Sequence, residues 1–363
     1  MSHPDRAAGL PRGAPSAIIN DMQPEAEVRA AFTEPEAFWS SPLYRRLSKV
    51  VAEDPQLVRL AAHTRAGQVP TFALFGAVQY LLLAGCDDPL AGYYPSIRGD
   101  RARPPDHELA DHFRQFTRRH RPELIQLLTT RLVQTNQVQR ALGLRLGLHV
   151  VGRDQADRGR AGAVHLLEIG TSAGLVLRQA AYGYHLGGCR FGRPDSPVQL
   201  RAEWRSAEPV PDLDQLPDLA STTGLDLNPL SADDPEDRRW LEALVWPEDR
   251  AKALLLDAAL DLAAELPLPI LAGDAQHRCA DWAADLPDGQ TRVVFHCATR
   301  MHVPGRHRPA FDQAIADVGR RGPLYRIAIE GAGLVVIDPD GVARTPYDVN
   351  GHLEWVAPAA GLG

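Results

Sequence analysis

The sequence has little cysteine and no long apolar run, and both shortages restrict the classes of protein it can encode. Its four cysteines form no C-x-x-C pair, so neither a disulfide framework nor a zinc ribbon is indicated, and a reducing, cytoplasmic setting is expected. The longest apolar stretch, residues 72–86, is shorter than the ~20 residues that a bilayer-spanning helix requires. We therefore expect a buried helix there and no membrane partner.

Positive charge is scarce as well. The 363 residues contain 39 lysines and arginines against 46 aspartates and glutamates, which gives a net charge of -7. A broad basic surface is therefore not expected, and neither is a nucleic-acid partner. Residues 1–30 lack the apolar core of a signal peptide and predict a disordered leader. The favoured class is a globular protein that acts on a small molecule.

Residues 31–150 predict a helical domain, because apolar side chains recur there at three-to-four spacing. The helical segments are 42–64, 70–85, 107–120 and 121–144. Pro122 suits the first turn of the last one. Little in this half of the chain alternates like a strand, so we expect a helical cap over the domain that follows.

A polar break at 152–162 separates this half from short β-like runs that alternate with helices. The expected strands lie at 163–170, 221–229, 268–275, 291–299 and 324–331. The expected helices begin near Ser172, Asp234, Cys279 and Pro309. This alternation predicts an α/β domain at 161–357 with a doubly wound parallel sheet, preceded by the N-terminal helical domain.

Two further features are expected in the α/β domain. Residues 182–219 are rich in proline and are interpreted as an insertion, within which the alternating segment 198–204 suits a hairpin. Residues 334–343 and 352–358 predict a terminal pair of strands with an antiparallel edge.

The stretch HLLEIGTSAGLVL, residues 165–177, admits two interpretations. Gly170, Ser172 and Gly174 satisfy the G-x-S-x-G pattern of a hydrolase nucleophile elbow, and Asp338 and His352 follow in the order that a triad requires. Only helical sequence precedes Ser172, however, whereas such elbows follow several strands. A serine hydrolase therefore stays an alternative.

The second interpretation, a Gly-rich loop that binds a ligand, accounts for more of the residues in and after this stretch. A Gly-rich turn after the first strand of a doubly wound sheet presents backbone N–H groups to a ligand. Glu168 ends that strand, and Asp226 and Asp274 end the next two. Because carboxylates are costly to bury without partners, three acidic strand ends favour a ligand site. The spacing fits neither a G-x-G-x-x-G dinucleotide motif nor a P-loop, so dehydrogenase and P-loop NTPase functions are disfavoured.

The segments LLEIGTSAGLVL and LAGDA resemble the first-strand and third-strand motifs of class I S-adenosylmethionine-dependent methyltransferases. Together with YYPS, TTRLVQTNQVQR, GLDLNPL, WLEALVWPED and VVFHCAT, they also resemble the uncharacterised bacterial family DUF2332. The resemblance implies a Rossmann-like, class I methyltransferase-type core that binds S-adenosylmethionine.

The methyltransferase resemblance also implies roles for single residues. The loop at the methionine end of the cofactor would consist of Glu168, Gly170, Ser172 and Gly174. Asp226 would hold the ribose, and Asp274 with Ala275 would face the adenine. Ser172 departs from the pattern, since it stands where the common motif has its middle glycine. Asp226 departs too, because it lies well beyond the ~20 residues usual after such a loop, which requires the insertion at 182–219.

Residues for chemistry and for substrate binding can also be nominated. His296 ends the fourth strand, where an imidazole would suit a general base, and a structural histidine is the alternative. The expected substrate-binding residues are Tyr93, Tyr94, Gln134, Asn136 and Arg140, for which packing or a solvated helix face is the alternative. No metal is expected, because the spacings among Cys279, Cys297, His277 and His302 match no zinc motif.

These observations favour an S-adenosylmethionine-dependent methyltransferase whose small or medium-sized acceptor lies between the two domains. A non-catalytic sensor or scaffold that binds S-adenosylmethionine is the first alternative, and a serine hydrolase using Ser172 is the second.

Overall fold

The computed structural model describes residues 22–33, 38, 40–134, 137–331 and 333–359. The N-terminal part is helical, as its spacing predicts. Its helices are α1 (Glu25–Thr33), α2 (Pro42–Glu53), α3 (Pro55–Ala61), α4 (Pro70–Leu83), α5 (Pro95–Arg98), α6 (Leu109–Arg119), α7 (Arg121–Thr130) and α8 (Ala141–Asp157). Side-chain oxygens of Ser41 and Asp54 cap α2 and α3, and a proline follows each cap.

Two boundaries of this part differ from the prediction. Helix α1 begins at Glu25, inside the range predicted for the leader, because Val28 and Phe32 lie one turn apart and both are buried. Helix α8 runs through the predicted polar break to Asp157. Its last turns are polar, yet Val151 and Gln155 remain buried on its inner face.

The last helix predicted for this part is interrupted. Residues 131–134 are not helical, and α7 ends before them at Thr130. The indole Nε1 of Trp240 donates to the carbonyl of Leu132 at 2.8 Å, and the amide of Val133 donates to the Gln68 side chain at 2.7 Å. These tertiary hydrogen bonds satisfy backbone groups that a helix would have paired internally.

The second part of the chain supplies the strands and the remaining helices. The strands are β1 (Val164–Ile169), β2 (Gly183–Leu186), β3 (Cys189–Gly192), β4 (Gln199–Trp204), β5 (Leu219–Asp226), β6 (Ile270–Ala272), β7 (Thr291–Cys297), β8 (Leu324–Ile329), β9 (Leu334–Ile337), β10 (Ala343–Val349) and β11 (Trp355–Pro358). The helices are α9 (Pro235–Ala243), α10 (Arg250–Glu265), α11 (Ala275–Ala284) and α12 (Arg308–Val318).

All these strands form one 11-stranded, mostly parallel sheet in the order β3-β2-β4-β11-β10-β9-β8-β7-β1-β5-β6. The five strands expected from the sequence pair in parallel as β6-β5-β1-β7-β8. In chain order this is 3-2-1-4-5, so the direction of winding reverses between β1 and β7. In open α/β sheets such a reversal opens a crevice at the carboxyl ends of the strands.

The predicted insertion and terminal strands are only partly correct. Strands β2 and β3 form a hairpin, but β4 pairs in parallel with β2 on one side and with β11 on the other. The insertion therefore extends the sheet beyond the C-terminal strands. The two predicted terminal strands correspond to β9 and β11, but β10 lies between them and is antiparallel to both. All three lie inside the sheet and not at its edge.

Helices cover both faces of the five parallel strands. Leu167, Ile169 and Val294 pack with α11 and α12 on one face, whereas Leu166 and Phe295 belong to the larger core that includes α8 and the N-terminal helices. Side chains alternate between these cores because successive strand residues point to opposite faces. Among the described residues, no helix combines the length and the apolar character needed to cross a bilayer.

The connection after β1 is not the helix expected near Ser172. Turns occupy residues 172–175, and a short 3-10 helix follows at Val176–Ala181. Positive φ angles at Ser172 and Gly174 prevent a regular helix from starting earlier.

Candidate functional site

Three acidic side chains mark the carboxyl edge of the sheet on one side of the winding reversal. Glu168 lies near the end of β1, beside Gly224 of β5. Asp226 ends β5, and Asp274 follows β6, whose Ala272 pairs with Asp226. The parallel register therefore brings all three predicted strand ends to the same edge.

The loop after β1 is held in an unusual backbone conformation. The φ angles of Gly170, Ser172 and Gly174 are 80°, 53° and 69°. A Cβ atom on Gly170 would lie 2.3 Å from the Thr299 hydroxyl, so only glycine fits there. Ser172 adopts positive φ without that freedom, and its amide donates to Asp226 at 2.7 Å. This hydrogen bond compensates part of the strain at Ser172.

Asp226 accepts three hydrogen bonds in this loop region. Its Oδ2 accepts from the amide of Ser172, and its Oδ1 accepts from the amide of Asn228 at 2.8 Å and from Gln134 Nε2 at 2.9 Å. Burial raises the pKa of Asp226 above its ordinary value, although the two backbone amides oppose that rise. Two of the three donors are backbone groups of the site, and the third comes from the helical part.

Gln134 connects the helical part to the site. Its Nε2 also donates to the carbonyl of Asn228 at 3.0 Å, and its Oε1 accepts from Asn228 Nδ2 at 3.1 Å. The structure thus brings Gln134 into contact with Asp226, the residue proposed to hold a ribose. Asn136, predicted to act beside Gln134, lies outside the described residues.

Arg140 lies near Glu168, and its positive charge lowers the pKa of that carboxyl. The Nε of Arg140 is buried and has no hydrogen-bond partner among the described residues. A buried donor without an acceptor is uncommon in folded proteins and calls for an explanation such as a bound group.

Glu168 is buried, at 4 % exposure, and accepts a hydrogen bond of 2.7 Å from the Thr171 hydroxyl. Burial raises its pKa to about 8, and the nearby charge of Asp226 adds to that rise. Arg140 and Arg178 act in the opposite direction. Glu168 is therefore largely protonated at neutral pH.

Asp274 and Ala275 form the start of α11. The Asp274 carboxylate caps the helix by accepting from the amide of Gln276 at 2.9 Å, and the residue is exposed. The amide of Gly273 donates to the carbonyl of Asp226 at 2.9 Å. Asp274 is therefore fixed beside the β5 end, with its side chain accessible from solvent.

His296 lies apart from these residues. It pairs with Ile169 in register, so its side chain is on the α11 and α12 face of the sheet, opposite to Glu168. Its Nδ1 contacts Glu330 at 2.6 Å, its Nε2 accepts from Arg326 Nε at 2.8 Å, and it has no exposed surface. Because both ring nitrogens are occupied and burial lowers the pKa of the ring, this geometry favours a positioning role over a base.

Tyr93 and Tyr94 do not line an open mouth. Both are buried in the helical core. The Tyr93 hydroxyl donates to Asp106 at 2.7 Å, and Arg103 lies over its ring at 4.8 Å. This burial favours the packing alternative over a substrate role for both tyrosines.

The position of Asp338, the proposed acid of a catalytic triad, argues against the serine hydrolase alternative. Asp338 follows β9, which is antiparallel to β8, so Asp338 lies at the opposite edge of the sheet from Ser172. There it is paired with Arg158 and Arg344. Asp338 therefore cannot orient a histidine beside Ser172. Within the described ranges, no three potential ligand side chains are grouped to hold a metal ion.

Sequence reasoning missed the residues that support the loop. Arg178 is buried and donates to the carbonyls of Gly174 at 2.8 Å and Ala173 at 3.2 Å. It also donates to carbonyls at the end of α10, those of Ala263 and Leu266. The sequence contains one signal for this role of Arg178, its position inside the apolar run GLVLRQAA. A charged side chain that is buried in such a run needs hydrogen-bond acceptors.

The comparisons with known proteins place this arrangement in a family. The model of the family DUF2332, described as an uncharacterized protein conserved in bacteria, matches residues 26–356. The chain belongs to this family. No curated protein and no solved structure matches the chain. The DUF2332 match covers both the helical part and the sheet, and Gln134 and Asp226 both lie within the matched residues.

Proposed function

We propose that the protein binds S-adenosylmethionine at the carboxyl edge of β1, β5 and β6 and transfers its methyl group to a small or medium-sized acceptor. The observation that carries the proposal is the meeting of Glu168, Asp226 and Asp274 around the Gly170 to Gly174 loop, in a sheet whose winding reverses beside it.

The charges near the loop suit the amino-acid end of this ligand. The Nε of Arg140, which has no hydrogen-bond partner in the described part of the chain, offers a donor to a carboxylate, and Glu168 offers an oxygen acceptor to an ammonium group. Charge-assisted hydrogen bonds of both kinds are stronger than neutral ones. One residue from the helical part and one from the sheet would thus hold the two ends of a zwitterion.

Asp226 and Asp274 suit the nucleoside end. Asp226 would accept from ribose hydroxyls, and Asp274, which is exposed at the next strand end, would accept from an amino group of the base. In the structure, Gln134 Nε2 occupies Asp226 Oδ1. A ribose hydroxyl would therefore replace the Gln134 amide as the third donor to Asp226.

Bound S-adenosylmethionine supplies an electrophilic methyl group on a positively charged sulfur. The residues of the chain contribute by holding the reactants in line and by excluding water, which are large effects when the geometry is fixed. The His296 side chain lies on the opposite face of the sheet from Glu168 and both its ring nitrogens are occupied, so the acceptor is expected to be a nucleophile that needs no base.

A binding protein without turnover is the second candidate. The burial of His296 and the occupation of both its ring nitrogens favour this candidate, because they remove the base that the sequence suggested. The two candidates share the ligand site and differ only in whether an acceptor is methylated.

Calorimetric titration with S-adenosylmethionine and S-adenosylhomocysteine tests the site. We expect binding of both by the native protein, and Asp226→Asn should weaken it by ~1–3 kcal/mol, the scale of hydrogen bonds that involve charged groups. Asp195→Asn, an exposed residue of the insertion, removes the same charge elsewhere and should have no effect. Absence of binding would refute both candidates, and tight binding without turnover across an acceptor library would favour the sensor.

A further inference from the structure

A basic groove lies in the helical part, where α3 meets the end of α6 and the start of α7. Its cavity measures about 380 Å³, which is within the range of small-ligand sites. The residues that line it are Asp54, Pro55, Gln56, Leu57, Arg59, Leu60, Arg114, Thr117, Arg118 and Arg121. Four arginines and a single acid line this groove, although the chain as a whole is acidic.

The arginines of this groove are not neutralised equally. Arg114 Nε pairs with Asp54 at 3.0 Å, and its Nη1 pairs with Asp111 at 3.3 Å. Arg59, Arg118 and Arg121 are exposed, and none of them has an ion pair with any residue that the structure describes. Three positive charges therefore face the same cavity without a partner carboxylate.

Part of this positive charge is held in place. Arg118 Nε donates to the carbonyl of Arg114 at 3.2 Å, which restricts the motion of its guanidinium. Arg114 is fixed in turn by two carboxylates. A preorganised guanidinium loses less freedom when it binds an anion than a mobile one does.

We propose that this groove is a second ligand site, which binds a small molecule carrying a phosphate or diphosphate group. Planar guanidinium groups match phosphate oxygens in bidentate pairs, and several arginines around one cavity favour an anion with more than one negative charge. The site is separate in sequence from Glu168, Asp226 and Asp274, so it does not depend on the function proposed above.

The proposal is tested by calorimetric titration of the native protein with sodium pyrophosphate at low salt. We expect saturable binding of one pyrophosphate per chain. Arg118→Gln together with Arg121→Gln should weaken it by about tenfold or more, because each change removes a charged hydrogen-bond donor. Both side chains are exposed, so circular dichroism of this double variant should match that of the native protein.

A matched control separates a site from a general attraction of anions. Arg45→Gln with Arg46→Gln removes two exposed positive charges from α2, outside the residues that line the groove. This pair should leave pyrophosphate binding within about twofold of the native value. Equal weakening by the two double variants would overturn the proposal, as would a lack of binding to the native protein. Attachment to vesicles of anionic phospholipid without pyrophosphate binding would overturn it as well.

Discussion

Two glutamates near the carboxyl ends of the parallel strands have pKa values shifted in opposite directions. Glu168, on β1, has its pKa raised to about 8, whereas Glu330, just after β8, has its pKa lowered to about 2. Burial pushes both values upward. Their difference must therefore come from the groups that surround each carboxyl.

Hydrogen-bond donors account for this difference. Glu330 contacts His296 and accepts from the amides of Thr299, Arg300 and Met301 at 2.9 to 3.1 Å. Such a set of donors stabilises a carboxylate strongly. Glu168 receives one hydroxyl, from Thr171. The Glu330 carboxylate, with several donors, stabilises the surrounding structure. The Glu168 carboxyl, with one donor, keeps the capacity to bind a cation or to release a proton.

Removal of the Glu330 carboxylate should have the largest effect on the stability of the protein. Glu330→Ala leaves three amides and His296 without their acceptor, and we expect a loss of about 3 kcal/mol or more in the free energy of unfolding, because each donor left unsatisfied costs ~1–3 kcal/mol. Urea unfolding at pH 7 measures it. Glu203→Ala, an exposed glutamate on β4, should change the stability by less than about 0.5 kcal/mol. Similar losses in the two variants would contradict the role of Glu330.

His296→Ala should have the next largest effect, on stability rather than on chemistry. The change removes a buried ring and its contacts with Glu330 and Arg326, and ~2–4 kcal/mol should be lost. Thermal unfolding and methyl transfer should be measured on the same samples. A turnover reduced ~100-fold at unchanged stability would instead establish His296 as a base.

Glu168 should give a smaller effect that depends on pH. Its folded pKa of about 8 exceeds the ~4.3 of an unfolded glutamate, so the folded protein binds the proton more tightly. The resulting stabilisation is complete below the unfolded value and is lost as the pH rises toward 8, at up to ~1.4 kcal/mol per pH unit. Between pH 6 and pH 8 the native protein should lose about 2 kcal/mol relative to Glu168→Gln. Parallel curves for the two proteins would show that Glu168 is already ionised at pH 6.

The smallest effect is expected on ligand affinity, from removal of the Gln134 amide, which the ligand can replace as a donor to Asp226. Gln134→Ala frees Asp226 Oδ1 and keeps its backbone donors, so S-adenosylmethionine should bind a few-fold more tightly, in keeping with the ~0.5–1.5 kcal/mol of one hydrogen bond. Titration calorimetry measures the change. Weaker binding would mean that Gln134 itself contacts the ligand and does not compete with it.

The parallel sheet could be predicted because its signals are local. Each of the five strands is a short apolar run ending at a turn, and the acids Glu168, Asp226 and Asp274 lie at or next to the ends of three of them. Strand ends of a parallel sheet meet at one edge, so the position of these acids followed from their place in the sequence.

Features that depend on distant partners could not be predicted. Residues 131–134 have helical spacing but are not helical, and Trp240 and Gln68 bond to their backbone instead. His296 lies near the end of a strand as expected, yet its role depends on two partners. Arg326 belongs to the neighbouring strand β8, and Glu330 follows that strand. No periodicity in the sequence reports such pairings.

The shortness of β6 has a consequence for aggregation. A sheet edge presents unpaired backbone groups that can template pairing with another molecule, and a large sheet with long edges is prone to it. Here the edge nearest Asp226 is a strand of three residues, and the far edge, β3, has four residues and carries the exposed Arg190. Short edge strands and an edge charge are features that disfavour pairing between sheets of different molecules. The short strand that positions Asp274 therefore also limits the backbone that this edge offers for such pairing.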